Sequence, residues 1–218
     1  LDVLGLKNIG WIHRATELAG IERIAPDVDY ADFNDWTVAE SIAKDNAAIF
    51  QFESDRTGKV VKEILSETSL NRSKEFNPDM TVVELLSVAT AVIRPGAVSI
   101  VEDVMQGKPK DNGYEALNAI MADSFGYMVY QEQQIKFLTE FAGMSGSEAD
   151  TIRRAISKKK RDVMEHEVPI IKEKFIKNMM DRYGDTREKI EPIADEFMEI
   201  FISSAQYSFN KSHSVAYS

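Results

Sequence analysis

The side chains most able to do chemistry lie in one basic stretch, Ala149 to Arg161, which reads ADTIRRAISKKKR. A guanidinium offers a planar fork of hydrogen-bond donors and an ammonium offers a mobile point charge, so both groups suit phosphate. Arg153, Arg154, Lys158 and Lys159 are therefore candidate phosphate ligands. The adjacent lysines repel one another unless an anion lies among them. A solvated basic face would explain the same composition, and the stretch alone leaves both interpretations open.

A second polar cluster follows Tyr207. On a helix, Asn210, His213 and Tyr217 share one face, because side chains three or four residues apart are neighbours. An amide, an imidazole and a phenol together can recognise a base edge, a sugar or a phosphate. Lys211 adds a cation between them. The alternative is a capped terminal helix that carries a surface histidine.

Any metal chemistry in this chain would have to use carboxylates, because the chain has no cysteine and its three histidines are scattered. Asp2 is a candidate ligand, and an exposed aspartate is the alternative interpretation. The chain does not match two other sequence motifs. Gly58-Lys59 lacks the upstream glycine of a phosphate-binding P-loop, and the residues from Gly5 to Gly10 do not fit a dinucleotide fingerprint.

An amphipathic helix is needed to position the basic stretch. At about 100° per residue, Ala149, Ile152 and Ile156 share an apolar face, and the two arginines and Lys158 lie around the other face. Lys159 would return to the apolar face, so we expect the helix to end or bend near it.

Local patterns predict the other elements as well. Three pairs match the capping box that opens a helix, and they are Thr81 with Glu84, Ser99 with Glu102, and Ser145 with Glu148. Asp35 is placed to cap a helix over residues 36–44. Further helices are predicted over 8–19, 55–66, 114–121 and 130–142, and Pro192 is expected in the first turn of a late helix. The predicted fold class is mainly α, with at most a short strand over residues 1–6.

Composition limits the function. The 218 residues are 44% hydrophobic, which is enough for one sizeable core or two small ones. The net charge of -10 argues against broad, non-specific nucleic-acid binding by this segment alone. No apolar run reaches the roughly 18 residues of a membrane span, so no membrane partner is expected. The start lacks a methionine and a signal-peptide pattern, which suggests a piece of a longer chain.

Six stretches together resemble one family, the catalytic alpha subunit of bacterial DNA polymerase III, in the family's own order. They are LDVLGL at residues 1–6, FQFES at 50–54, Arg94-Pro95-Gly96, YQEQ at 130–133, Ala149-Asp150 with Arg153-Arg154-Ala155 and Lys158-Lys159, and FNKSH at 209–213. The resemblance covers nearly the whole chain. It implies that residues 1–10 end the palm and that residues 11–218 are a multi-helix fingers domain, truncated at its C-terminus.

The resemblance also implies an activity, nucleotidyl transfer from a deoxynucleoside triphosphate to a primer 3′-hydroxyl. Asp2 resembles the last of three catalytic aspartates that bind two Mg²⁺ ions. Two parts of the chain resemble the region of the fingers that binds the incoming nucleotide. They are the basic stretch and the group of Asn210, Lys211 and His213. His213 could donate a hydrogen bond or a proton to the leaving group.

The same resemblance implies partners and a location. They are primer–template DNA, deoxynucleoside triphosphates, the palm and thumb of the same polypeptide, and a sliding clamp and replisome subunits bound through regions outside this chain. The expected compartment is the cytoplasm of a bacterium or of a phage-infected bacterium. Because the other two aspartates and a nearby lysine of the family lie outside this chain, we expect the segment alone to be inactive.

Some positions depart from the family pattern. The family usually has Phe, Pro, Gly and Gly where this chain has Val3, Ala97, Ser157 and Ser208. These departures indicate a divergent member, for which a phage gene is one candidate source. The alternative function, from a different class, is a helical module that binds phosphate or single-stranded nucleic acid without catalysis.

Overall fold

The computed structural model describes residues 7–21, 35–47, 49–94 and 97–218. In this part of the chain it has twelve α-helices, no strand, and one isolated parallel bridge between Tyr130 and Phe209. The helices are α1 (Lys7–Ala19), α2 (Trp36–Lys44), α3 (Asp55–Ile64), α4 (Glu67–Phe76), α5 (Val82–Val92), α6 (Val98–Met105), α7 (Glu115–Ile120), α8 (Gln131–Ala142), α9 (Gly146–Ser157), α10 (Val168–Tyr183), α11 (Arg187–Ser204) and α12 (Lys211–Tyr217). The mainly α prediction is confirmed, and the strand expected over residues 1–6 lies outside the described residues.

Helix starts follow local capping chemistry. The Asp35 carboxylate accepts a hydrogen bond from the backbone N–H of Thr37 at 2.9 Å, as predicted for α2. The reciprocal capping boxes at Thr81 and Ser145 are both formed and open α5 and α9. These side chains satisfy backbone donors that have no partner inside the helix.

The capping box predicted at Ser99 is wrong. α6 begins at Val98, and its N-terminal residue Ala97 supplies no side-chain cap. A backbone hydrogen bond from Ala97 N–H to Arg94 O, at 3.1 Å, turns the chain into the helix before Ser99 is reached. Ser99 therefore lies inside the first turn, where its hydroxyl cannot cap.

Two further expectations need correction. Pro192 is the sixth residue of α11 and not part of its first turn. Proline cannot donate the backbone hydrogen bond of this turn. Nearby, Arg187 pairs with Glu173 of α10 at 2.6 Å and with Glu191. α4 was not predicted at all, although Ser66 caps it by accepting from Ser69 N–H.

The helices bury two hydrophobic clusters. The C-terminal cluster is built on five phenylalanines of α8, α10 and α11, whose contacting ring centroids lie 4.9–5.8 Å apart, namely Phe137, Phe141, Phe175, Phe197 and Phe201. The N-terminal cluster surrounds α5, in which nine of eleven residues are buried. Phe209 and Tyr217 belong to this N-terminal cluster, so the end of the chain returns to pack on its first half.

α8 connects the two clusters. Its side chains Phe137 and Phe141 lie in the C-terminal cluster, and Tyr130, the residue before its first turn, lies in the N-terminal cluster. Both groups of candidate residues are attached to this helix.

Candidate functional site

The first group of candidate residues is organised by one carboxylate on α9. Oδ1 of Asp150 accepts hydrogen bonds from Arg153 Nε at 3.2 Å and from Arg153 Nη2 at 2.8 Å. Oδ2 of Asp150 accepts from Arg154 Nε at 2.8 Å. The spacing of three and four residues places all three side chains on one side of the helix.

The two arginines differ in exposure. The Arg153 side chain is 9% exposed and that of Arg154 is 68% exposed. The expectation that both lie on the solvent face is therefore wrong for Arg153. Its long apolar stem is covered, and its head is paired with Asp150 as a buried cation requires.

The charge state of Asp150 follows from these contacts. Partial burial acts to raise the pKa of Asp150, but hydrogen bonds and Coulomb attraction from Arg153 and then Arg154 outweigh it. The pKa of this carboxyl therefore lies below its ordinary value. Asp150 carries its negative charge at neutral pH and offsets one of the two positive charges beside it.

α9 ends where the sequence predicted. Lys158 is its C-terminal boundary residue and is exposed, and Lys159 follows with a positive φ of 51°. This left-handed residue turns the chain before Lys159 could reach the apolar face. Within the described part of the chain, Lys158, Lys159 and Lys160 form no ion pair with a carboxylate, so their charges remain uncompensated.

The second group lies at the start of α12. Asn210 is the N-cap, and its Oδ1 accepts from the backbone N–H of His213 at 2.9 Å. Nε2 of His213 and the Tyr217 hydroxyl are 2.9 Å apart, and their rings are also in contact. The predicted shared face of Asn210, His213 and Tyr217 is confirmed, and the Asn210 oxygen serves as a cap.

Lys211 is tied to α8 and to the turn before it. Its backbone N–H donates to Glu132 Oε2 at 2.8 Å, and its ammonium pairs with Asp123 in the 3-10 turn Ala122–Ser124. Asp123 also accepts a hydrogen bond from Gln133 Nε2 at 2.9 Å. The Lys211 ammonium, which was predicted to bind phosphate, thus has a carboxylate partner in this structure.

The start of α12 is held in place by α8 and α5. Gln131 N–H donates to Phe209 O at 2.9 Å, and Phe209 N–H donates to Val129 O at 2.8 Å. The fully buried Ser214 hydroxyl donates to the backbone oxygen of Ser87 on α5. α12 is short, so these long-range bonds rather than helix propensity set its position.

Sequence reasoning missed the residues that support both groups. The spacing of Asp150 from the two arginines, three and four residues, is the local signal that predicts their pairing. Asp123 and Glu132 reach Lys211 across 88 and 79 residues, and no local signal could have found them. Arg94 was also missed as a contact, and its guanidinium lies 4.2 Å from the centre of the Phe209 ring.

The structure brings Arg153 and Arg154 together, and it brings Asn210, Lys211 and His213 together. α9 packs along α8, and α12 is bonded to the first turn of α8. Asp2 lies outside the described residues. Among the described residues there is no group of three His, Asp or Glu side chains that could hold a metal ion, and no helix long and apolar enough to cross a membrane.

Comparison with known proteins gives one consistent result. A family model described as the bacterial DNA polymerase III alpha subunit finger domain matches residues 8–182. DNA polymerase III subunit alpha of Bacillus subtilis is 30% identical over 224 residues, and that of Aquifex aeolicus is 32% identical over 226. The Thermotoga maritima protein of the same name is 31% identical over 218 residues. Each match covers 100% of this chain but only 18%, 17% and 21% of the relative, so the chain spans about a fifth of their length.

Proposed function

Because the chain belongs to the finger-domain family of the bacterial DNA polymerase III alpha subunit, we propose that it is the segment of a DNA-dependent DNA polymerase that binds the incoming deoxynucleoside triphosphate. The observation that carries this proposal is the group of cations at the end of α9. Arg154 is 68% exposed, and three lysines follow it without carboxylate partners among the described residues. Such a cluster is destabilised by its own repulsion unless an anion lies among its members.

The chemistry of the cluster suits a triphosphate. Nε of Arg154 is bonded to Asp150, and its two terminal nitrogens form no hydrogen bond with any described residue. A planar pair of terminal donors matches two phosphate oxygens. Lys158 and Lys159 add point charges one turn further along. Cations at these positions would offset the phosphate charge and hold the nucleotide for in-line attack.

The connectivity favours a common site for both groups. α8 and α9 are joined by only three residues and pack along each other, as the helices of an αα-hairpin do. A hairpin brings the end of its second helix toward the start of its first. The end of α9 carries Arg154 and Lys158, and the start of α8 holds α12 through Glu132. Convergence of the two groups at this end of α8 is part of the proposal.

In this site the α12 group contacts the same incoming nucleotide. Asn210 and His213 present an amide and an imidazole beside the Tyr217 phenol. The Lys211 ammonium would have to leave Asp123, or bind phosphate while it remains paired. His213 is proposed to donate a hydrogen bond or a proton to the leaving group, since an imidazole can do either.

The domain division is part of the same proposal, with residues 1–10 as the end of the palm and residues 11–218 as the fingers.

Two Mg²⁺ ions would be held by Asp2 and by carboxylates elsewhere in the polypeptide, and they would activate the primer 3′-hydroxyl. The described residues offer no group of three metal ligands of their own. On this proposal the segment is inactive alone and acts with the palm, the thumb and the primer–template DNA. The clamp and the replisome subunits would bind outside it.

The test is Arg154→Ala in the complete polymerase polypeptide. A hydrogen bond to a charged partner contributes about 1.5–3 kcal/mol, so kcat/KM for the nucleotide is expected to fall roughly ten- to a hundred-fold. Steady-state primer extension at varied nucleotide concentration measures this. Lys177→Ala is the matched control, because Lys177 is an exposed cation that pairs with Asp181 on α10.

The same experiment also distinguishes the proposed function from the alternative one. Unchanged kcat and KM in Arg154→Ala would contradict a nucleotide site on α9. If Arg154→Ala instead weakened binding of single-stranded DNA and left nucleotide kinetics intact, the helical binding module would be the better description.

A further inference from the structure

Asp150 organises the two arginines and leaves selected donors free. Its carboxylate uses Nε and Nη2 of Arg153 but only Nε of Arg154. Because a guanidinium is planar, fixing Nε and its direction fixes the plane in which both terminal nitrogens lie. The terminal nitrogens of Arg154 therefore have a defined orientation toward solvent before any ligand arrives.

The differing burial of the three side chains supports this division of roles. Arg153 is 9% exposed, Asp150 is 32% exposed and Arg154 is 68% exposed. The buried guanidinium anchors the carboxylate, and the carboxylate in turn holds the exposed guanidinium. Two adjacent arginines would otherwise repel each other, and an exposed arginine would sample many rotamers.

A stabilising ion pair is the simpler explanation and predicts something different. Exposed pairs at this spacing contribute little to folding, so loss of the Arg154 contact would hardly affect the protein. Preorganisation instead reduces the cost of fixing a ligand contact in the transition state, where misplacement by about 1 Å can lower the rate by up to a hundred-fold. The two explanations therefore differ in kinetics rather than in stability.

We propose that Asp150 is a positioning residue, which does not touch the nucleotide but holds Arg154 in the orientation that binds its phosphate groups. This inference rests on the proposed nucleotide site on α9 and adds to it a residue that acts through Arg154. It also gives the acidic position before the two arginines a role in the reaction.

The experiment is a double-mutant cycle in the complete polymerase polypeptide with Asp150→Asn, Arg154→Ala and both together. Asp150→Asn keeps both guanidinium charges, so KM for the nucleotide is expected to change little. kcat is expected to fall about tenfold, because the orientation of Arg154 is lost. The double variant is expected to match Arg154→Ala alone, since Asp150 then has no exposed guanidinium left to orient toward the nucleotide.

Two further variants complete the design. Asp162→Asn removes the same charge from an exposed aspartate just beyond the basic stretch, and its kinetics are expected to be unchanged. Asp150→Glu keeps the charge but moves the carboxylate by one methylene, so its kcat is expected to lie between those of the parent and Asp150→Asn. Thermal melting of each variant shows whether it is folded, and Asp150→Glu carries the comparison if Asp150→Asn unfolds.

The results separate the two proposals. If Arg154→Ala impairs the enzyme while the Asp150 variants behave like Asp162→Asn, the positioning role is overturned and the nucleotide site stands. If the losses from Asp150→Asn and Arg154→Ala multiply, Asp150 acts independently of Arg154 and the inference also fails. If Arg154→Ala has no effect, the nucleotide site itself is wrong.

Discussion

Gln133 shows how one side chain can set the local path of the backbone. Its Oε1 accepts hydrogen bonds from the backbone N–H groups of Val129 and Tyr130, both at 2.9 Å. Its Nε2 donates to Asp123 and to the Ser124 hydroxyl. The residue is 3% exposed, so water cannot replace these partners. Through Asp123 and Tyr130, this amide stabilises the turn that contacts Lys211.

We therefore expect Gln133→Leu to destabilise the chain strongly. The change leaves two buried backbone donors without an acceptor, which costs about 2–4 kcal/mol in free energy of unfolding. Urea unfolding of the 218-residue chain measures this. Gln134→Leu is the matched control on the same helix. Gln134 is equally buried but bonds only the hydroxyls of Ser204 and Ser208, so about 1 kcal/mol is expected.

Equal losses in the two glutamine variants would contradict this account. The sequence could not single out Gln133, because the need for an acceptor at Val129 and Tyr130 arises from the turn before α8. The burial of Arg153 could not be predicted either. Its spacing predicts the face of the helix on which it lies, but not the tertiary contacts that cover that face.

At the scale of elements, helix starts were predictable where the cap lies in the neighbouring sequence. Thr81 and Glu84 close a reciprocal box, in which Thr81 N–H donates to Glu84 Oε2 at 2.8 Å and Glu84 N–H donates to Thr81 Oγ1 at 3.2 Å. The same pattern at Ser99 and Glu102 is not used, because the turn from Arg94 starts α6 one residue too early.

This pair provides a test within one chain. Thr81→Ala is expected to lower the free energy of unfolding by about 1 kcal/mol, because α5 loses an N-cap. Ser99→Ala, which removes a hydroxyl without a capping role, is expected to change it by less than about 0.5 kcal/mol. The urea midpoints of the two variants measure the difference. A larger loss in Ser99→Ala would mean that α6 uses the predicted cap after all.

Three features were not predictable from local patterns. α4 buries only two serines fully, so its sequence lacks the apolar stripe that marks a helix. α10 is preceded by a π-helical turn over Val163–Glu167, and Pro169 lies in its first turn. Pro192 lies within α11, although the local signal favours a proline in the first turn of a helix.

At the scale of the whole molecule, the candidate site depends on contacts between distant parts of the chain. The Asn210 and His213 face was predictable from spacing, because both lie on one short helix. The attachment of that helix to α5 and α8 was not, since the bonds to Ser87 and Glu132 span 127 and 79 residues. Local chemistry thus indicates which residues can act, and long-range packing decides where they lie.

α1 exposes an apolar face in the part of the chain that the structure describes. Trp11 is 67% exposed and Leu18 is 74% exposed, and they lie on the same side of the helix with Ile12 nearby at 56%. A helix with an exposed apolar stripe is marginal in water unless another surface covers it. Since the relatives are about five times as long, we expect the rest of the polypeptide to cover this face.

Hydrogen–deuterium exchange tests this expectation in both contexts. Peptides from α1 are expected to exchange rapidly in the isolated segment and slowly in the complete polypeptide, because burial of the apolar stripe raises the free energy of local opening. Peptides from α5 provide the control, since nine of its eleven residues are already buried within the segment and should be protected in both. Equal exchange of α1 in the two proteins would show that its apolar face stays uncovered.

The Leu18→Glu variant then separates packing from helix formation, because it should abolish the added protection in the complete polypeptide and leave the isolated segment unchanged.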